Sequence, residues 1–217
     1  MGECERRLTV NASADTVWQW LEDPRNAFSV NIFHAEVHHD GSPIDKGSVV
    51  EILHDFFGAH KELRHARVTS YRKYFVQWGE YLVPDPDNKK AKDSFPHRQS
   101  FEVVPIDDTH CEIVNRLSGK YRFPGSSRFG EPLFNKYMPY ILDDDNQVIA
   151  AGCGAIDAAD VKTPKGLFLW PLMASAARFT KKSTRRNVLE KAKGGASEKP
   201  DQNKAARPAS TTSGDQS

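Results

Sequence analysis

The chain has little of what builds covalently stapled or metal-clipped small folds. It holds three cysteines in 217 residues, Cys4, Cys111 and Cys153. They show no paired spacing and no neighbouring zinc-type ligands, so neither a disulfide framework nor a metal clip is expected. The opening MGECERRLTV lacks an apolar core of secretory length, which makes a reducing, cytoplasmic compartment the expectation. With no export signal, Asn11-Ala12-Ser13 reads as the approach to a helix cap and not as a glycosylation site. The apolar stretch 166–179, GLFLWPLMASAARF, contains Pro171 and falls short of the roughly 20 residues that span a bilayer. No glycine-rich phosphate loop, nucleophile elbow or zinc spacing occurs. All eight histidines lie before Cys111. His38 and His39 are adjacent on an expected strand and face opposite sides, so they do not form a bidentate metal site.

The charge is unevenly spread. Residues 1–160 carry 18 Lys+Arg against 25 Asp+Glu, a formal −7, whereas residues 161–217 carry 12 against 4, a formal +8. Residues 194–217 are small, polar or charged and bury too little apolar surface to order themselves. The expected organisation is one domain over 1–160 and a basic tail over 161–217, with the short apolar segment 166–179 followed by disorder.

Alternation predicts a strand over 6–10, stopped by Asn11-Ala12-Ser13, which caps a helix over 14–22. Val17, Trp20 and Leu21 share one face of that helix, and Asp15 suits its first turn. A second short helix is expected over 25–30. Strands follow over 35–39, 48–55, 61–71, 74–83, 98–104 and 111–121, each bounded by turn signals. Short connections make them antiparallel neighbours. The exception is 84–96, PDPDNKKAKDSFP, which reads as a solvated loop or as a mobile lip over a cavity mouth.

Residues 126–160 contain a long helix, kinked or delayed by Pro139. Phe134, Met138, Ile141, Leu142, Val148, Ile149 and Ile156 form its apolar face. Asp143, Asp144 and Asp145 fall on the wetter side. Neighbouring helical side chains point about 100° apart, so these three do not converge on an ion. Gly152 and Gly154 allow close packing against the sheet or leave room for a ligand.

The segments RLTVNASADTVWQWLEDPRN, FEVVPIDDTHCEIVNRL and YMPYILDDDNQVIAAGCGAID together resemble the SRPBCC or START-like helix-grip superfamily, in particular its polyketide cyclase/dehydrase-type branch. The resemblance spans about residues 4–160. It implies an α+β helix-grip fold: a curved seven-stranded antiparallel sheet around a long C-terminal helix, two short helices after strand 1, and hydrophobic ligands held between sheet and helix. The superfamily has no invariant catalytic signature, so the resemblance bears on fold more than on activity.

Candidate site residues follow from the alternation. Gln99, Phe101 and Val103 share one strand face, as do Ile113, Asn115 and Leu117 in the next. Gln99 and Asn115 are then polar groups in an apolar interior, satisfied by each other, by water or by a ligand. Arg64 turns inward with Ala66 and Val68. It pairs with Glu80 or Glu51, or receives an acidic head group. Of Trp78 and Tyr81 at most one faces the cavity, and size favours Trp78. Phe134, Met138, Ile141 and Leu142 line the cavity from the helix.

Three functional classes remain open at this level. The first is binding or transport of a small hydrophobic molecule, lipid-like, isoprenoid-like or polyketide-like, with no metal or other cofactor. The second is a cyclase or dehydratase that uses His54, His65 or a cavity acid as general base. The third is an interaction module in which 166–179 and Lys181, Lys182, Arg185 and Arg186 contact an anionic membrane. Nucleic acid is not expected as a partner, because the acidic 1–160 region repels phosphate.

Overall fold

In the computed structural model, residues 2–55, 61–84, 93, 95–120, 122, 126–161 and 184–195 are described. Seven strands form one antiparallel sheet: β1 (Gly2–Val10), β2 (His34–His38), β3 (Val49–Asp55), β4 (Lys61–Arg72), β5 (Phe75–Leu82), β6 (His97–Pro105) and β7 (Cys111–Gly119). Their spatial order is β1-β7-β6-β5-β4-β3-β2. Because β1 and β2 sit at opposite edges, residues 11–33 cross the sheet. They do so through α1 (Ala14–Leu21) and α2 (Pro24–Ala27). The expected seven-stranded sheet and long helix α3 (Ser126–Gly152) are both present.

Local chemistry accounts for the crossing. The Ser13 hydroxyl accepts from the Thr16 N–H and closes the start of α1, and Asp23 does the same for α2, with Pro24 at its first position. Val17, Trp18 and Leu21 are the buried side of α1. Trp20, placed on that side by the sequence reading, is instead half-buried at the helix flank. The second helix ends at Ala27, three residues earlier than its pattern suggests. The hairpin β4–β5 turns at Lys73 and Tyr74. Tyr74 has φ +66°, a conformation an L-residue adopts only with support. That support comes from α1: the Tyr74 hydroxyl donates to Asp15 at 2.8 Å.

Helix α3 packs on β1 and β7 and against α1. Pro139 does not delay its start; Pro132 and Pro139 both lie inside the helix. It ends at Gly152, eight residues before the expected limit, where Gly154 takes φ +77° and the chain turns away from the helix axis. A Cβ on Gly152 would lie 2.3 Å from the Trp20 ring, so the close packing expected of this glycine is against α1 and not against the sheet. The acidic triplet also departs from its expected position. Asp143 forms a two-pronged ion pair with Arg6 (2.7 and 2.8 Å), but Asp144 and Asp145 are 1% and 0% exposed.

Sequence reasoning misses α4 (Thr184–Gly195), which packs on α3 and β2 with Val188 buried. The 166–179 segment and residues 196–217 lie outside the described residues. Among the described residues, no helix is long and apolar enough to cross a membrane.

Cys111 is fully buried, and burial, reinforced by Cys153, pushes its thiol up to about 11. The thiolate is the reactive form. In the native protein at pH 8, Cys111 should therefore resist iodoacetamide for hours and react promptly once the chain is unfolded. Peptide mass spectrometry after timed alkylation measures this, and native-state labelling as fast as that of free cysteine would contradict the placement.

Candidate functional site

Period-two alternation turns one set of residues from each of five strands to the buried inner face of the sheet. These are Val50, Ile52 and His54 of β3, Val68, Ala66 and Arg64 of β4, Val76, Trp78 and Glu80 of β5, Val103, Phe101 and Gln99 of β6, and Ile113, Asn115 and Leu117 of β7. In every set but the last, the apolar members come from the half of the strand nearest the α1 end. The polar member lies toward the end where residues 56–60 and 83–96 connect the strands. The result is a belt of buried polar groups across the inner face.

Buried apolar side chains accordingly form two clusters. The larger holds Phe28, Trp78 and Phe101 with α1 and the C-terminal half of α3. The smaller holds Leu117, Phe134, Met138, Ile141 and Leu142, with Cys4, Phe33 and Phe95 packed against it. Trp78 is wedged between Phe28 and Phe101, with ring centroids 4.4 and 5.3 Å away.

The belt has two parts. In one, Gln99 donates to Asn115 at 3.1 Å and approaches Asp145 of α3 at 3.4 Å, while Asn31 reaches Asp145 at 3.5 Å. The bond between Gln99 and Asn115 is one of the three alternatives that alternation left open. In the other part, Glu80 is the centre. Its carboxylate lies 2.8 Å from Arg64 Nε, 2.9 Å from His54 Nε2 and 3.4 Å from His97 Nε2. Arg64 also binds Glu62 at 2.7 Å, Asp93 at 3.1 Å and the Phe95 carbonyl at 3.0 Å.

His34 stands opposite His54 across β2 and β3, beside a register shift that turns it inward; the two rings are 4.5 Å apart. Its Nδ1 is hydrogen-bonded to the Phe28 carbonyl.

The belt's electrostatics follow from this crowding. Burial pushes the Glu80 carboxyl up, but the facing His97 and His54 outweigh it and hold the group well below the usual carboxylate range. Burial lowers His97, and Glu80 more than reverses that, so His97 titrates above an ordinary imidazole. His34 goes the other way: burial, with His54 alongside, pushes it down to about 3. A carboxylate held ionised between imidazoles is suited to orienting a polar group or shuttling a proton.

The sequence-derived candidates distribute unevenly. Arg64, Trp78, Gln99, Phe101, Asn115, Leu117, Phe134, Met138, Ile141 and Leu142 are all buried, and Glu80, not Glu51, takes Arg64. His54 is interior. His65 is not: it lies on the outer face, 3.6 Å from Glu51 and edge-on to Tyr81, because β4 turns Arg64 and Ala66 inward on either side of it. His34, His97, Asn31 and Asp145 were not foreseen. His34 and His97 each begin a strand, where alternation has no preceding residue to set its phase, and β6 starts one residue earlier than its pattern suggests.

A separate groove of about 830 Å³ runs outside the sheet, between α1–α2, the end of α3 and α4. Trp20, Asp23, Asn26, Gly154 and Lys191 border it. The belt residues do not.

No family model and no curated protein matches the chain. Solved structures do. A conserved protein from Geobacillus kaustophilus is 11% identical with a TM-score of 0.53, covering 70% of this chain and 95% of its own. A START superfamily protein from Mycobacterium smegmatis is 15% identical (TM-score 0.46; 67% and 95% covered). The Zhui aromatase/cyclase from Streptomyces sp. R1128 is 13% identical (TM-score 0.46; 90% and 95% covered). At such identities likeness speaks to fold alone. With the element order and sheet topology above, the chain has a helix-grip fold, one seven-stranded antiparallel sheet packed against the long helix α3.

Proposed function

We propose that this helix-grip domain binds a small, mostly apolar molecule, lipid-like, isoprenoid-like or polyketide-like, between the sheet and α3. The belt holds the polar end of the molecule. The observation that carries this reading is the belt itself. A core selected for stability alone would fill that layer with apolar side chains, since buried charges and carboxamides seldom add net stability. Here they lie between two apolar clusters, an arrangement that supplies apolar area for affinity and a few fixed polar groups for orientation.

Native mass spectrometry of the protein purified from its own host tests the reading, with a retained small molecule as the expected result. The bare chain mass alone, under conditions that preserve other lipid complexes, would count against it. Gln99→Leu provides a second check. It removes a donor to Asn115 and Asp145, so stability should fall by about 1 kcal/mol. Affinity for the retained molecule should drop about tenfold, which is about 1.4 kcal/mol. A large loss of stability with unchanged binding would remove Gln99 from the site.

A second reading is favoured by the His54–Glu80 pair at 2.9 Å. It is acid–base catalysis of the cyclase or dehydratase type, with His54 as the base and Glu80 as the group that orients it. The discriminating result is turnover of the retained molecule that disappears in Glu80→Gln while binding persists.

A further inference from the structure

The zinc patterns recognisable in a sequence are local, but β2, β3 and β5 bring a metal-ligand set together from a distance. One donor atom each from His34, His54 and Glu80 falls within 4.8 Å of the other two, and all three residues are buried. Two imidazoles and a carboxylate form a ligand set for zinc and related divalent transition ions, one that leaves a coordination position open.

Two further features favour an ion. The first is orientation. The Phe28 carbonyl takes His34 Nδ1, which leaves Nε2 as that ring's donor, and an N–H anchored on a backbone carbonyl is how ligating histidines are commonly held. His97, the outer partner of Glu80, is anchored the same way, with Nδ1 3.0 Å from the Phe95 carbonyl.

The second is charge. Arg64 faces three carboxylates, Glu62, Glu80 and Asp93, so one guanidinium does not balance the acids gathered around it. The Glu80 side chain is 0% exposed, and among the described residues neither of its oxygens receives an aligned hydrogen bond, although Arg64, His54 and His97 stand close. A buried negative charge with misaligned partners is one that a cation offsets strongly.

We propose that His34, His54 and Glu80 bind one divalent transition-metal ion of the zinc type, with His97 and Arg64 steadying the Glu80 carboxylate from outside. Donor atoms on a tetrahedral zinc lie about 3.3 Å apart, and those of His34, His54 and Glu80 fall within 4.8 Å of one another, so small side-chain rotations bring them to that spacing. The open position then faces a water or the polar end of a bound molecule. The metal site does not depend on the small-molecule reading, and either can fail alone.

The test is titration of chelator-stripped full-length protein with Zn²⁺ by calorimetry and with Co²⁺ by visible absorption. The expected result is one ion per chain with micromolar or tighter affinity and a Co²⁺ spectrum of low coordination number. Affinity should fall at least about tenfold in His34→Ala and in Glu80→Gln and stay unchanged in His65→Ala. X-ray absorption on the zinc-loaded wild type gives a readout that needs no variant, with two imidazoles in the first shell as the expected result. Absence of stoichiometric binding, binding that survives loss of His34 and of Glu80, or a shell without two imidazoles would each overturn the site.

Discussion

Replacing Arg64 by methionine should lower the free energy of unfolding by about 3–5 kcal/mol, the cost of leaving buried charges without their partner. The guanidinium is 2% exposed and reaches Glu80, Glu62 and Asp93, so its loss leaves three carboxylates facing one another. The double variant Arg64→Met/Glu80→Leu should recover a large part of that loss. Glu80 is the fully buried acid, whereas Glu62 and Asp93 retain 14% and 18% exposure and can turn to water. Arg64→Lys should fall between, because a point ammonium cannot serve three acceptors as a planar fork does. Urea denaturation with chelator present measures all three. A double variant as unstable as the single would mean that Glu80 is not the residue Arg64 neutralises.

The second large effect lies on the apolar side of the belt. Trp78→Ala should cost about 3–5 kcal/mol, through lost burial and the cavity left between Phe28 and Phe101. Trp78→Phe should cost under about 1.5 kcal/mol, since a ring still fills the slot. Among the described residues the indole N–H has no hydrogen-bond partner, so removing it relieves an unsatisfied donor. If Trp78→Ala were mild and instead raised affinity for apolar probes, the ring would be lining open space and not packing the larger cluster.

The contrast between these positions marks what could be read in advance. Strand alternation is a local signal, and it turned Arg64, Gln99 and Asn115 inward with no knowledge of the fold. It also put Glu80 within reach of Arg64. Alternation failed where phase could not be set, at the first residues of β2 and β6, and so His34 and His97 stayed hidden. The helix posed a different problem. Three consecutive acids look like a wet face, but Asp144 and Asp145 are buried, and Asp145 meets Gln99 and Asn31 from strand and loop. Nothing local to the helix announces those partners. The metal-ligand set depends on the register of β2 on β3 and the placement of β5, which only the assembled sheet fixes. Helix α4 was hidden because its charged sequence buries little beyond Val188.

Amide chemical-shift mapping of the isotope-labelled, metal-free protein during titration with 1-anilinonaphthalene-8-sulfonate, an apolar probe with an anionic end, tests the interior site most directly. The account predicts saturation at one probe per chain, with the largest shifts at Glu80, His97, Gln99 and Asp145. Shifts confined to Trp20, Gly154 and Lys191 around the outer groove, or no saturation at all, would contradict it.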